Sequence, residues 1–160
     1  MKVLFSGVVL AMLVALTTAA TPYRTAVPAS FESRGDDRQA IEKVLANYTK
    51  AVSTKDQALF ESLLLDKTIP FSGVPLSEKT EGSSIKTANY EDFRKGVFEG
   101  EPFTQEFKNI HIEQDGMLAQ ISLVFVNTTS TSESWGWKTM QMVKVNGRWK
   151  IASEFFTGHN

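Results

Sequence analysis

Apolar residues recur at helical spacing near the start of the globular part of the chain. Ile41, Val44, Leu45, Tyr48 and Val52 fall on one face, and Asp36 or Asp37 stands where a helix cap is expected. Asp56 opens a second, shorter helix with Leu59, Phe60, Leu63 and Leu64 inward, and Lys55-Asp56 leaves almost no loop between the two. Asn89 marks the cap of a third helix carrying Phe93, Val97 and Phe98, which Gly100 and Pro102 end. From Phe103 the period changes to two. Four strand-like runs follow: 103–114, 117–127, 135–145 and 148–156. Asp115-Gly116 and Asn146-Gly147 are hairpin turn signals, the second suited to a two-residue turn with positive φ at both positions. These runs predict a four-stranded antiparallel meander. Thr128 to Glu133 is a polar loop within it.

Between the second and third helices the pattern weakens. Asp66 to Ala88 carries Pro70, Gly73, Pro75 and Gly82, with Ile69, Phe71 and Ile85 as centres of short strand pieces. An irregular stretch of this length in a compact domain often has a function, such as that of a lid.

Both faces of the predicted sheet are rich in apolar residues. In 117–127 one face has Ala119, Ile121, Leu123 and Phe125, and the other has Leu118, Val124 and Val126. A sheet with one wet face alternates more cleanly. A second copy of the chain is the simplest cover, so a homodimer through the outer face is expected.

The first residues change the picture of where the protein works. Lys2 precedes an apolar run from Val3 to Leu16, and Thr17-Thr18-Ala19-Ala20 supplies small residues. This is the order of a secretory signal over residues 1–20, too short for a membrane span. Residues 21–35, with Pro22, Pro28 and Gly35, read as a flexible leader, and 36–160 as one domain. The expected destination is outside the cytoplasm, with a periplasm the best fit, and no membrane contact after cleavage. A formal charge of −1 argues against a nucleic-acid partner. No cysteine is present, so packing rather than disulfides must hold the fold.

Two stretches carry a resemblance. Tyr48-Thr-Lys-Ala-Val-Ser-Thr-Lys-Asp56, leading into Leu59-Phe60, resembles the end of the first helix in the SnoaL-like, nuclear transport factor 2-like superfamily. Lys144-Val-Asn-Gly-Arg-Trp-Lys-Ile151 resembles its final hairpin, with a tryptophan after the turn. The resemblance spans about residues 36–157. It implies an α+β domain in which a strongly curved antiparallel sheet wraps the N-terminal helices, a cystatin-like cone with a pocket. The superfamily contains isomerases, cyclases, dehydratases, hydrolases and non-catalytic binding modules, so the fold does not decide the function.

The resemblance and the residues together nominate a site. Where the isomerase branch has its basic carboxylate, this chain has Phe71, so isomerase chemistry of that type is not expected. Glu154 is the remaining carboxylate candidate for a general acid or base. Its plainer reading is an exposed glutamate, or one paired with Lys138 across the hairpin. Trp135 and Trp137 share a strand face with Thr139 and Gln141, and Gly136 lets a ring or backbone approach between them. They suit an aromatic wall for a flat ligand, and equally a core or a dimer contact. Tyr48 offers a hydroxyl from the inward face of the first helix. The candidate ligand pocket is therefore Tyr48, Trp135, Trp137, Gln141 and Glu154. His111 and His159 lack ligand spacing, so neither a metal nor a cofactor is expected. The expected function is binding of a small, partly apolar molecule in the cone. Two alternatives stay open: a lyase, isomerase or hydrolase using Glu154, and a dimerisation module without ligand.

Overall fold

The computed structural model describes residues 28, 30–75 and 86–159. The expected signal segment, most of the leader and the middle of the expected lid lie outside these residues. The order of elements is α1 (Gly35–Thr54), α2 (Gln57–Leu63), β1 (Pro70–Pro75), β2 (Lys86–Asn89), α3 (Tyr90–Arg94) with a π-helical turn (Lys95–Glu99), then β3 (Thr104–Asp115), β4 (Leu118–Thr128), β5 (Glu133–Val145) and β6 (Arg148–Gly158).

α1 buries Ile41, Leu45, Tyr48, Ala51 and Val52; of the stripe that the spacing predicted, Val44 is only partly buried, and Ala51 joins it. It ends where Lys55 turns into the left-handed region at φ 56°, and Asp56 caps α2 by accepting from the Leu59 N–H. Asn89 caps α3 in the same way, through the Asp92 N–H. The expected cap at Asp36 or Asp37 does not form: the helix begins at Gly35, so both lie within its first turn, and the N-cap position falls to Arg34, whose side chain makes no cap. Asp37 instead reaches across to the sheet. It accepts from Lys144 Nζ at 2.5 Å, Gln114 Nε2 at 2.9 Å and the Trp149 indole N–H at 3.1 Å. These three donors, Lys144 foremost, hold its carboxyl below the usual range. The tryptophan after the final turn thus locks the β5–β6 hairpin to the first turn of α1.

The sheet has six strands in the order β2-β1-β6-β5-β4-β3. The predicted meander is its right-hand part. Two strands, β1 and β2, come from the stretch read as mostly irregular, and β1 runs parallel to β6, so the sheet is mixed rather than wholly antiparallel. The weak pattern of that stretch has a physical cause: β1 is only six residues long and holds Gly73 and two prolines, so period-two alternation has little room. Asn146 and Gly147 both have positive φ, as the two-residue turn requires, whereas at the β3–β4 turn only Gly116 does. From the stretch read as leader, Glu32 bridges to Glu113, and Ser33 N–H donates to the Ile112 carbonyl.

Two strands carry an extra residue. In β3 the register with β4 shifts between Lys108 and His111, where Asn109 has φ 53°. In β6 Gln141 pairs with Ser153 but Met142 pairs with Ile151, which leaves Ala152 unpaired. Bulges bend a strand and raise its twist, and these two help the sheet curl around α1.

The concave side is packed. Phe60 lies 4.9 Å from Tyr48, 5.2 Å from Phe93 and 5.5 Å from Phe98 between ring centroids, and Phe71 stacks on Phe93 at 4.6 Å. Ile112, Ile121, Met140, Met142 and Ile151 complete the sheet side of this core. At its edge Glu61 ties α2 to α3, accepting from Lys67, Gln57 and the Tyr90 hydroxyl at 2.7, 2.7 and 2.8 Å. With Lys67 the largest influence, its carboxyl is held down at about 2, against 4.5 in a free chain. A carboxyl lowered by folding adds stability above the unfolded value, and that stability is lost as pH falls toward the folded one. Glu61→Gln is therefore expected to melt lower at neutral pH and to lose less stability than the parent between pH 4.5 and about 2. Equal acid slopes in urea titrations would remove Glu61 from this role.

Candidate functional site

β6 enters the core with Trp149 and Ile151 inward. Strict alternation would then turn Ser153 inward and Glu154 outward. The bulge at Ala152 reverses the parity, so Ile151 and Glu154 both face the concave side. Glu154 is completely buried. In β5, Gly136, Lys138, Met140 and Met142 form the inward row, which buries Lys138 to 2 % exposure. α1 supplies Tyr48, also completely buried.

These three side chains form a closed triangle. Lys138 Nζ lies 2.7 Å from Glu154 Oε1 and donates to the Tyr48 hydroxyl at 2.9 Å. The Tyr48 hydroxyl donates to Glu154 Oε2 at 2.8 Å. Around the amine stand the rings of Phe125, Phe107 and Phe156, with centroids 5.1, 5.5 and 5.6 Å away. Gly136 makes this arrangement fit. A Cβ there would stand 2.7 Å from the Phe125 ring and 1.9 Å from the Thr157 carbonyl oxygen. Burial pushes the Lys138 ammonium below the ordinary lysine range, against the pull of Glu154. Burial also pushes the Tyr48 hydroxyl well above its ordinary range, and the Glu154 charge adds to that.

Of the five sequence candidates, the structure brings together Tyr48 and Glu154 only. Trp135, Trp137 and Gln141 lie on the opposite, convex face of β5 and are exposed. There the Trp137 indole N–H donates to Ser122 Oγ at 2.8 Å, and Trp135 stacks on His159 at 4.0 Å. Ser153 donates to Gln141 at 3.3 Å beside a shallow depression of about 120 Å³. Phe71 sits in the aromatic core, and its parallel partner in β6 is Glu154. The concave carboxylate of this chain thus stands one strand away from the position that Phe71 fills. Lys138 entered the sequence reading only as a partner for Glu154. The signal for its burial was present, because it has the same parity as Met140 and Met142.

Among the described residues, two larger open clefts lie elsewhere. One of about 540 Å³ is lined by Glu61, Lys67, Tyr90 and Arg94, whose charges are paired among themselves and with Glu91 and Glu99. The other, of about 600 Å³, lies where α1 ends and is lined by Ser53, Phe103, Thr104 and Thr128. Neither is lined by Lys138 or Glu154. Among the described residues, no group of three or more His, Asp or Glu is placed to hold a metal ion.

The architecture is an α+β cone of the nuclear transport factor 2-like kind. The family model for the SnoaL-like domain matches residues 41–156, and the chain belongs to that family. Among solved structures, it is similar to an NTF2-like protein from Cytophaga hutchinsonii, with 14% identity over 78% of this chain and 100% of that one and a TM-score of 0.64. A protein of unknown function with a cystatin-like fold from Nostoc punctiforme shares 13% identity over 80% and 95% of the two chains, with a TM-score of 0.62. An NTF2-like protein of unknown function from Methylobacillus flagellatus shares 18% identity over 82% and 98%, with a TM-score of 0.60. At these identities the likeness establishes the fold alone. A search among curated proteins finds no match.

The triangle makes a prediction about its members. Lys138→Met leaves a buried carboxylate without its counter-ion and is expected to cost about 3–5 kcal/mol. Adding Glu154→Gln removes the stranded charge and is expected to recover most of that loss. Guanidinium melts of the two single variants and the double variant check this. Additive losses in the double variant would show that the pair does not interact.

Proposed function

We propose that this chain is an exported domain that binds a small, partly apolar molecule inside its cone, with Lys138, Glu154 and Tyr48 as the polar end of the site. The observation that carries the reading is the ion pair closed under Phe107, Phe125 and Phe156. A buried pair of this kind is often no better for stability than apolar residues of the same volume, so stability alone does not account for it. Ionisable groups displaced from their ordinary ranges concentrate at functional sites. Phe107 and Phe156 are only partly buried, and so is Phe103, which lines the cleft at the end of α1. These rings mark the side from which a ligand would enter by displacing them. Residues 1–20 support export by their order of charge, apolar run and small residues.

A ligand bound there stabilises the folded state by mass action. A thermal-shift screen with flat apolar compounds bearing one polar group is expected to find compounds that raise the melting temperature of the parent and not of the Lys138→Met/Glu154→Gln variant. Equal rises in both proteins would place the binding elsewhere, and no rise with any compound would sink the reading.

A second reading has its own observation. The triangle's polar groups are closed off by packed side chains, and the convex face leaves Trp137 53 %, Leu118 53 %, Phe155 47 % and Trp135 46 % exposed. This combination suits a dimerisation module with a filled cone, and the same face would serve a homodimer of the ligand-binding form. Catalysis with Glu154 as an independent base toward a ligand is the weaker proposal, since Lys138 and Tyr48 already hold both of its oxygens. Sedimentation at micromolar concentration is expected to give a dimer that Trp137→Lys converts to monomer. A monomeric parent protein would exclude the convex-face interface.

A further inference from the structure

The Lys138 amine has the surroundings of a nucleophile rather than of a surface charge. Its two oxygen neighbours are a carboxylate at 2.7 Å and a phenol at 2.9 Å, and the rings of Phe125, Phe107 and Phe156 stand 5.1, 5.5 and 5.6 Å from it. Among the described residues no other ion pair or side-chain hydrogen bond reaches the triangle: α1 contributes Tyr48, β6 contributes Glu154 and Phe156, and β3 and β4 contribute Phe107 and Phe125. We propose that Lys138 forms a reversible imine with a flat apolar aldehyde or ketone held among these rings. This rests on the reading that the cone takes a small, partly apolar ligand, and it names the ligand's reactive group.

The chemistry balances within the three residues. In the resting triangle the ammonium of Lys138 faces the carboxylate of Glu154. Transfer of one proton from Lys138 to Glu154 gives a neutral amine and a neutral acid, which an apolar shell favours over separated charges. The amine lone pair attacks the carbonyl carbon, and the C=O π pair moves to oxygen. That oxygen takes a proton from the Tyr48–Glu154 pair, while the new C–N bond sheds one proton to the same pair. The carbinolamine then loses its hydroxyl as water, with a further proton from the pair, as the nitrogen lone pair closes the C=N bond. The sum is carbonyl plus ammonium giving iminium plus water. Nitrogen is cationic at the start and the end, when Glu154 is anionic, and both are neutral in the carbinolamine, so no buried charge is left without its counter-ion. Desolvation of the amine supports the same assignment, because a lysine in an apolar pocket holds its proton less firmly and attacks carbonyls more readily.

The test uses 2-naphthaldehyde with sodium cyanoborohydride, which reduces an imine to a stable secondary amine. Intact mass and peptide mapping of the parent protein at neutral pH are the readouts. The expected result is one adduct, on Lys138, formed about tenfold or more faster than on any other lysine. Adducts spread over the exposed lysines, with Lys138 unlabelled or no faster, would overturn the proposal. Because the mapping is done on the parent protein, it does not depend on a variant that folds. 2-Naphthalenemethanol, which has the ring but no carbonyl, separates the two claims. If it raises the melting temperature of the parent but not of the Lys138→Met/Glu154→Gln variant while Lys138 stays unlabelled, ligand binding stands and the amine chemistry falls. If neither compound acts at the triangle, both fall.

Discussion

The contact between Lys138 and Glu154 is the constraint around which the rest of the interior is arranged. Two opposite charges sit in a core otherwise made of rings and aliphatic chains. Such a pair survives burial only if its geometry is good and its remaining protons and lone pairs find partners. Tyr48 supplies that partner from α1, so the helix and the two C-terminal strands are coupled through one hydroxyl. The rings of Phe107, Phe125 and Phe156 then exclude water from the pair. Gly136 follows from the same demand, since any side chain there would collide with Phe125.

The bulge at Ala152 is what brings the carboxylate inside. It costs the β5–β6 ladder one pairing and, as bulges do, bends the strand. In return, one strand presents Trp149 and Ile151 and then, three residues later, Glu154 to the same face. Trp149 and Lys144 fix the other end of that hairpin to Asp37 at the start of α1. The hairpin is therefore held to the helix at two levels, at Asp37 and at Tyr48, about three turns of helix apart, each level using a carboxylate and a lysine. At the Asp37 level the groups are partly solvated. At the Glu154 level they are not, and only there does the amine become chemically distinctive.

Much of the scaffold was legible in the chain. Ile41, Leu45 and Tyr48 announced the buried face of α1, Asp56 and Asn89 their helix caps, and Asn146-Gly147 the final turn, because each signal is local and each rule has a single physical cause. The first-helix cap failed because the helix begins at Gly35, which puts Asp36 and Asp37 inside its first turn and leaves Asp37 free to take three donors from the sheet. β1 and β2 were hidden because short, glycine- and proline-bearing strands have little periodicity. The site was harder. Trp135, Trp137 and Gln141 were correctly grouped on one face of their strand, but that face is the convex one. Which face is concave depends on long-range packing, and the facing of Glu154 depends on an unpaired alanine that leaves no mark in the hydrophobic pattern.

The most direct measurement of the central claim is the exchange of lysine amine protons with water, read by NMR on protein labelled with ¹⁵N in its lysine side chains. A triangle buried as described predicts one amine signal protected from exchange, assigned to Lys138 by its loss on Lys138→Met/Glu154→Gln, with every other lysine exchanging rapidly. If all lysine amines, Lys138 included, exchange at the rate of exposed groups, the buried pair does not exist in solution and the account fails.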